Sequence, residues 1–128
     1  MRGVVDQQLH ALRERFGEVD VLRLPSGTLM VTVSDVPLPA GWSAPFTTIR
    51  FLVPAGYPFA ALDCFWADDG LRLASGAVPQ NAGSGNQIPE TAHHGLWFSW
   101  HLTGPWDPNR DTLSSWMNVI ADRLRRLQ

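Results

Sequence analysis

The chain reads as an α+β fold, with helices packed on one face or end of an antiparallel sheet. Three observations predict it. Each end of the sequence carries apolar residues at helical spacing, the middle alternates with a period of two, and a long aperiodic stretch precedes the second helix. The 128 residues are the length of one domain, spanning 1–128, and 45% hydrophobic with 17% charged residues is the composition of a compact soluble fold.

The opening helix is predicted from Val5, Leu9, Leu12 and Phe16, whose steps of four, three and four place them on one face. Asp6 is the expected N-cap and Gly17 the stop. A hairpin follows, with "VDVLRL" turning at "PSG" into "TLMVTVSDV", where Leu29, Val31 and Val33 alternate with Met30, Thr32 and Ser34. After a loop rich in proline and glycine, "FTTIRFLVP" sets Ile49, Phe51 and Val53 against Thr48, Arg50 and Leu52 as a third strand. "ALDCFWA" is expected as the fourth, with Leu62, Cys64 and Trp66 on one face and Asp63 and Phe65 on the other. These complete a four-stranded antiparallel meander.

Residues 68 to 95 show almost no periodicity and are expected to form a long functional loop. "GLWFSWHL" reads as extended, which leaves Trp97 or Trp100 toward solvent or a partner. The closing helix is predicted from Leu113, Trp116, Met117, Ile120, Leu124 and Leu127, with Asp111 as its cap.

Charge and motifs exclude several functions. The formal charge of −2 arises from 10 basic and 12 acidic residues without long single-sign runs, so no nucleic-acid or anionic-membrane footprint is visible. One cysteine forms no internal disulfide, the first residues lack the apolar core of a signal peptide, and no apolar run approaches a membrane span; the expectation is a cytoplasmic protein. His93, His94 and His101 lack the spacing of a zinc site. Nucleotide-binding and serine-hydrolase motifs are absent, and no cofactor is implied.

Two segments carry a resemblance. "LVPAGYPFAALDCFWADDGLRL" supplies Tyr57, Pro58, Asp63, Phe65 and Trp66, and "WFSWHLTGPWDPNRDTLSSWMNVI" supplies Ser99, His101, Trp106, Pro108, Asp111 and Leu113. Together they resemble the ubiquitin-conjugating (UBC) fold and, within it, the prokaryotic UBC-like family E, over residues 20 to 127. The resemblance implies an N-terminal helix, a four-stranded meander, an active-site-like irregular segment and a C-terminal helix. It also implies a place in a bacterial pathway resembling ubiquitin transfer, with a ubiquitin-like protein and an activating-enzyme-like protein as partners.

The chain departs from conjugating enzymes at the nucleophile. A thioester carrier needs a thiolate, yet residues 68 to 110 contain no cysteine, and Cys64 falls within a strand, where a free cysteine is most often buried. The His-Pro-Asn signature is also missing; Asn81 in "VPQNAG" is either an oxyanion donor or a turn residue. His101 is the stronger candidate, for acid–base work or for packing, with Asp107 or Asp111 available to fix its tautomer. The readings are therefore a UBC-like pathway component without the usual cysteine, a non-catalytic adaptor, or a cysteine-independent hydrolase or acyl transferase that uses His101.

Overall fold

A computed structural model describes residues 3–102 and 104–128. Among them the elements run α1 (Val4–Phe16), β1 (Val19–Arg23), β2 (Leu29–Pro37), β3 (Phe46–Val53), β4 (Phe65–Ala67), β5 (Ala82–Gln87), β6 (His94–Phe98) and α2 (Leu113–Leu124). All the strand pairings are antiparallel, in the order β1-β2-β3-β4-β6-β5.

The first three strands follow the alternation of the sequence. Val31, Val33, Ile49, Phe51 and Val53 are buried on one face and pack with Leu9 and Leu12 of α1 and with Leu113, Trp116, Met117, Ile120 and Leu124 of α2. This is the main core. On the other face a smaller cluster of Leu24, Met30, Trp66 and Ile88 is bordered by Leu52, Cys64 and Trp97.

The sheet has six strands among the described residues rather than four. Residues 68 to 95, expected as a loop, contain β5 and the start of β6. "AGSGNQ" has no alternation of apolar and polar side chains, so its strand rests on backbone pairing with β6, interrupted by a register shift between Gly83 and Asn86. At Gly95 an added Cβ would stand 2.7 Å from the Ala67 carbonyl oxygen, so the close approach of β6 to β4 requires glycine.

The fourth strand is shorter than expected because Cys64 takes a left-handed φ of 53° and breaks the alternation. Leu62 consequently joins the main core with Phe65, whereas Cys64 lies beside Trp66 on the second face. Both expected helix caps also move. Gly3, not Asp6, is the N-cap of α1. Thr112, not Asp111, caps α2, through a reciprocal pair of bonds with Ser115. Gly17 ends α1 as expected, its N–H bonding the Arg13 carbonyl at 2.7 Å. Leu127 lies beyond the end of α2 and is half exposed.

Candidate functional site

The two sequence segments meet at one end of the β4–β6 ladder. Phe65 pairs with Phe98, and their rings stack at 4.6 Å. Beyond that pair the Cys64 N–H donates to the Trp100 carbonyl at 2.7 Å, which prolongs the ladder by one more contact. The residues just before β4 and just after β6 are thereby brought together. They line a cleft of about 390 Å³ that includes Leu62, Asp63, His101, Leu102 and Trp106.

The wall bearing Trp106 is firmly built. Its indole N–H donates to the Pro58 carbonyl at 2.7 Å, and its ring lies 5.8 Å from that of Tyr57. The Tyr57–Pro58 bond is cis. Tyr57 is buried, and its hydroxyl donates to Gln8 Oε1 of α1. The same oxygen accepts from the N–H of Leu113, the first residue of α2, at 2.9 Å. One glutamine thus ties α1, the Tyr-Pro turn and α2. Burial, partly offset by the bond to Gln8, pushes the Tyr57 pKa up to about 12.

His101 is exposed and, among the described residues, makes no hydrogen bond or ion pair. Asp107 and Asp111, its expected partners, line a separate cavity of about 380 Å³ with Pro105 and Arg110. They serve the turn: the Asp107 N–H donates to Asp111 Oδ2 at 2.9 Å, and the Asn109 N–H donates to Asp107 Oδ1 at 2.9 Å. The carboxylate that shares the cleft with His101 is Asp63, also exposed. Sequence reasoning placed Asp63 in a motif without giving it a role, since its proximity to His101 depends on the β4–β6 pairing.

Asn81 adopts a left-handed φ of 61°, the geometry of a turn residue, and its carbonyl accepts from the Ser99 N–H at 2.8 Å. It lines a neighbouring cavity of about 220 Å³ together with Ser99, Trp100 and His101. His101 therefore borders three concave surfaces, one containing Asp63, one Asn81, and a third of about 200 Å³ containing Asp122 and Arg126.

Trp97 and Trp100, expected toward solvent or a partner, are half-buried. Trp97 borders the second-face cluster, and Trp100 lies 5.4 Å from the guanidinium carbons of both Arg123 and Arg126. Arg123 is 1% exposed; its guanidinium donates to the carbonyls of Gln80, Arg126 and Gln128, and burial lowers its pKa. Cys64 is half-buried, and burial pushes its thiol pKa up despite an opposing hydrogen bond with the Trp97 side chain. A raised pKa leaves less thiolate at neutral pH, the reverse of what activates a cysteine nucleophile.

Among the described residues no group of three or more His, Cys, Asp or Glu side chains is placed to hold a metal, and no helix is long and apolar enough to cross a membrane. Comparison with curated proteins and with solved structures returns no match. The family model described as prokaryotic E2 family E matches residues 5–127, nearly the whole chain. The chain belongs to prokaryotic E2 family E.

Proposed function

We propose that the protein is an E2-like component of a bacterial pathway built on a ubiquitin-like protein, binding that protein and an activating-enzyme-like protein without forming a thioester on a cysteine of its own. The observation that carries the reading is the contrast between Cys64, half-buried with a raised pKa, and the open cleft that holds Asp63 and His101. The cleft of about 390 Å³ offers Leu62, Leu102 and Trp106 as apolar wall to a bound segment of the ubiquitin-like protein. His101, which makes no hydrogen bond or ion pair among the described residues, would serve as the base for an attacking amine, and Asp63 lines the same cleft.

A non-catalytic adaptor is the second reading, favoured because no hydrogen bond among the described residues orients the His101 ring. General bases are usually held in one tautomer by a fixed partner. Both readings require the same cleft to bind the ubiquitin-like protein.

The test is incubation with the activating-enzyme-like protein, ATP and the ubiquitin-like protein, followed by gels run with and without reductant. No thiol-sensitive adduct is expected on the wild type or on Cys64→Ser. Asp63→Asn should weaken binding of the ubiquitin-like protein by roughly tenfold, about 1.4 kcal/mol. An adduct that thiols release and that Cys64→Ser abolishes would overturn the proposal.

A further inference from the structure

The basic segment "DRLRRL", residues 122 to 127, spans the end of α2, and its three arginines meet three different fates. A helix C-terminus attracts cations. Arg123 answers that demand from inside: it is 1% exposed, and its guanidinium donates to the main-chain carbonyls of Gln80, Arg126 and Gln128. Arg125 pairs with Asp122, the one acidic residue of the segment. Arg126 is left over. It is exposed, and its guanidinium makes no hydrogen bond or ion pair among the described residues.

Arg126 is nevertheless held in place. Its guanidinium carbon lies 5.4 Å from the centre of a Trp100 ring, within reach of cation–π attraction, and that of Arg123 lies 5.4 Å from the same side chain. Trp100 itself packs against the main core. A cation resting on a fixed ring has lost part of its rotamer freedom before any ligand arrives, so an anion that binds it has less entropy to offset. Negative charge is also scarce here: Arg125 engages Asp122, while burial and then the neighbouring charge of Arg126 lower the Arg123 pKa. Two cations thus repel each other beside one tryptophan, and an anion at Arg126 would relieve them.

Next to this pair lies a cavity of about 200 Å³ walled by Trp100, His101, Leu102, Val119, Asp122 and Arg126. Its wall combines a permanent cation, a histidine with a ring N–H to donate, and three apolar side chains. Pockets for drug-sized ligands begin at about 300 Å³, so this one suits a small fragment better than a nucleotide or an oligosaccharide.

We propose that this cavity binds a monocarboxylate with a short apolar body, the carboxylate on Arg126 and His101 and the body against Trp100, Leu102 and Val119. The planar guanidinium matches the two carboxylate oxygens. One uncompensated cation on the wall matches one negative charge, and Asp122 on the same wall repels a second, which disfavours phosphate. A free acid and the C-terminus of a peptide both supply this chemistry. The site shares His101 with the cleft of Asp63, but it rests on Arg126 and requires neither the ubiquitin-like protein nor the function proposed for that cleft.

The experiment is an NMR titration of the full chain, read at the Trp100 indole N–H and the His101 ring signals. The probes are 4-methylpentanoate, its uncharged amide, inorganic phosphate, and acetyl-Gly-Gly-Leu with a free C-terminus. The acid should shift both signals saturably, bind roughly tenfold more tightly than the amide or phosphate, and weaken as salt rises. Arg126→Gln should erase the preference for acid over amide; Arg126→Lys, which keeps the charge, should retain part of it and serves if the glutamine variant fails to fold. Tighter binding of the tripeptide than of the free acid assigns the site to a peptide end, and the reverse to a small molecule; either result upholds the carboxylate chemistry. Loss of acid binding in Asp63→Asn but not in Arg126→Gln would place the acid in the neighbouring cleft and overturn the proposal. Equal binding of acid and amide, phosphate binding as tightly as the acid, or no shift of either signal up to about 10 mM acid, at the weak limit of measurable affinity, overturns it as well.

Discussion

The segment that closes the cleft has two halves built on opposite principles. From Trp106 to Ser115 the polar groups are extensively tied: the indole to Pro58, the Asp107 N–H to Asp111, Leu113 to Gln8, and Thr112 to Ser115. From Ser99 to Leu102, by contrast, the hydrogen bonds among the described residues are main-chain ones, Trp100 lies against Arg123 and Arg126, and the one titratable side chain, His101, is exposed without a hydrogen bond or ion pair among the described residues. Ordering a side chain costs entropy that contacts must offset. The first half offsets that cost and forms a frame. The second half leaves the His101 side chain outside that frame, which is why the proposed function assigns it to ligand binding.

The largest effect should come from the frame. Trp106→Ala removes a half-buried indole, its contact with Tyr57 and its bond to Pro58, and should cost about 3 kcal/mol, the low end for a buried tryptophan. For a domain of this size the melting temperature should fall by about 10 °C. A melting curve that barely moves would show that the Tyr-Pro turn is held by Gln8 alone, and that Trp106 belongs with His101 on the working side.

Tyr57 tests the same frame through pH. Its folded pKa is raised to about 12, whereas in the unfolded chain it takes its ordinary value of 10.0. The unfolded state therefore loses its proton first. Stability from this group is complete below pH 10 and falls as pH rises from 10 to 12, by about 2 kcal/mol in all. Tyr57 is the only tyrosine, so phenolate absorbance reads its titration directly. Tyr57→Phe should flatten the loss of stability across that window. A phenolate that titrates near 10 in the folded protein would mean that the hydroxyl is open to water.

The frame was more legible in the sequence than the site. Helical spacing located α1 and α2, and strict alternation located β2 and β3, because each of these elements buries one face against the main core. β5 escaped notice since Ala82–Gln87 buries no apolar stripe and exists through its hydrogen bonds to β6. The error in β4 has one cause, the left-handed Cys64, which no period reveals. The site suffered from both. With β6 unpaired, nothing linked His101 to Asp63, and the aspartates nearest in sequence, Asp107 and Asp111, stood in its place. In the structure they fold their own turn. The two segments that carry the family resemblance were thus legible in the sequence, while the grouping of their residues depended on a strand pairing between residues about thirty positions apart.

The smallest effect on stability belongs to His101, and it decides whether the two halves really differ. His101→Gln keeps a polar side chain of similar reach and removes the titrating ring. Because the ring is exposed and bonds nothing among the described residues, the change should leave stability within about 0.5 kcal/mol, as for surface positions generally. Binding of the ubiquitin-like protein, or transfer if the protein is catalytic, should nevertheless drop by roughly tenfold, or about 1.4 kcal/mol. The two readouts must separate for the comparison to hold. A joint loss, with function falling only as far as the folded fraction, would move His101 into the frame beside Trp106. A stable and fully active His101→Gln would leave Asp63 and the apolar wall as the only working parts of the cleft.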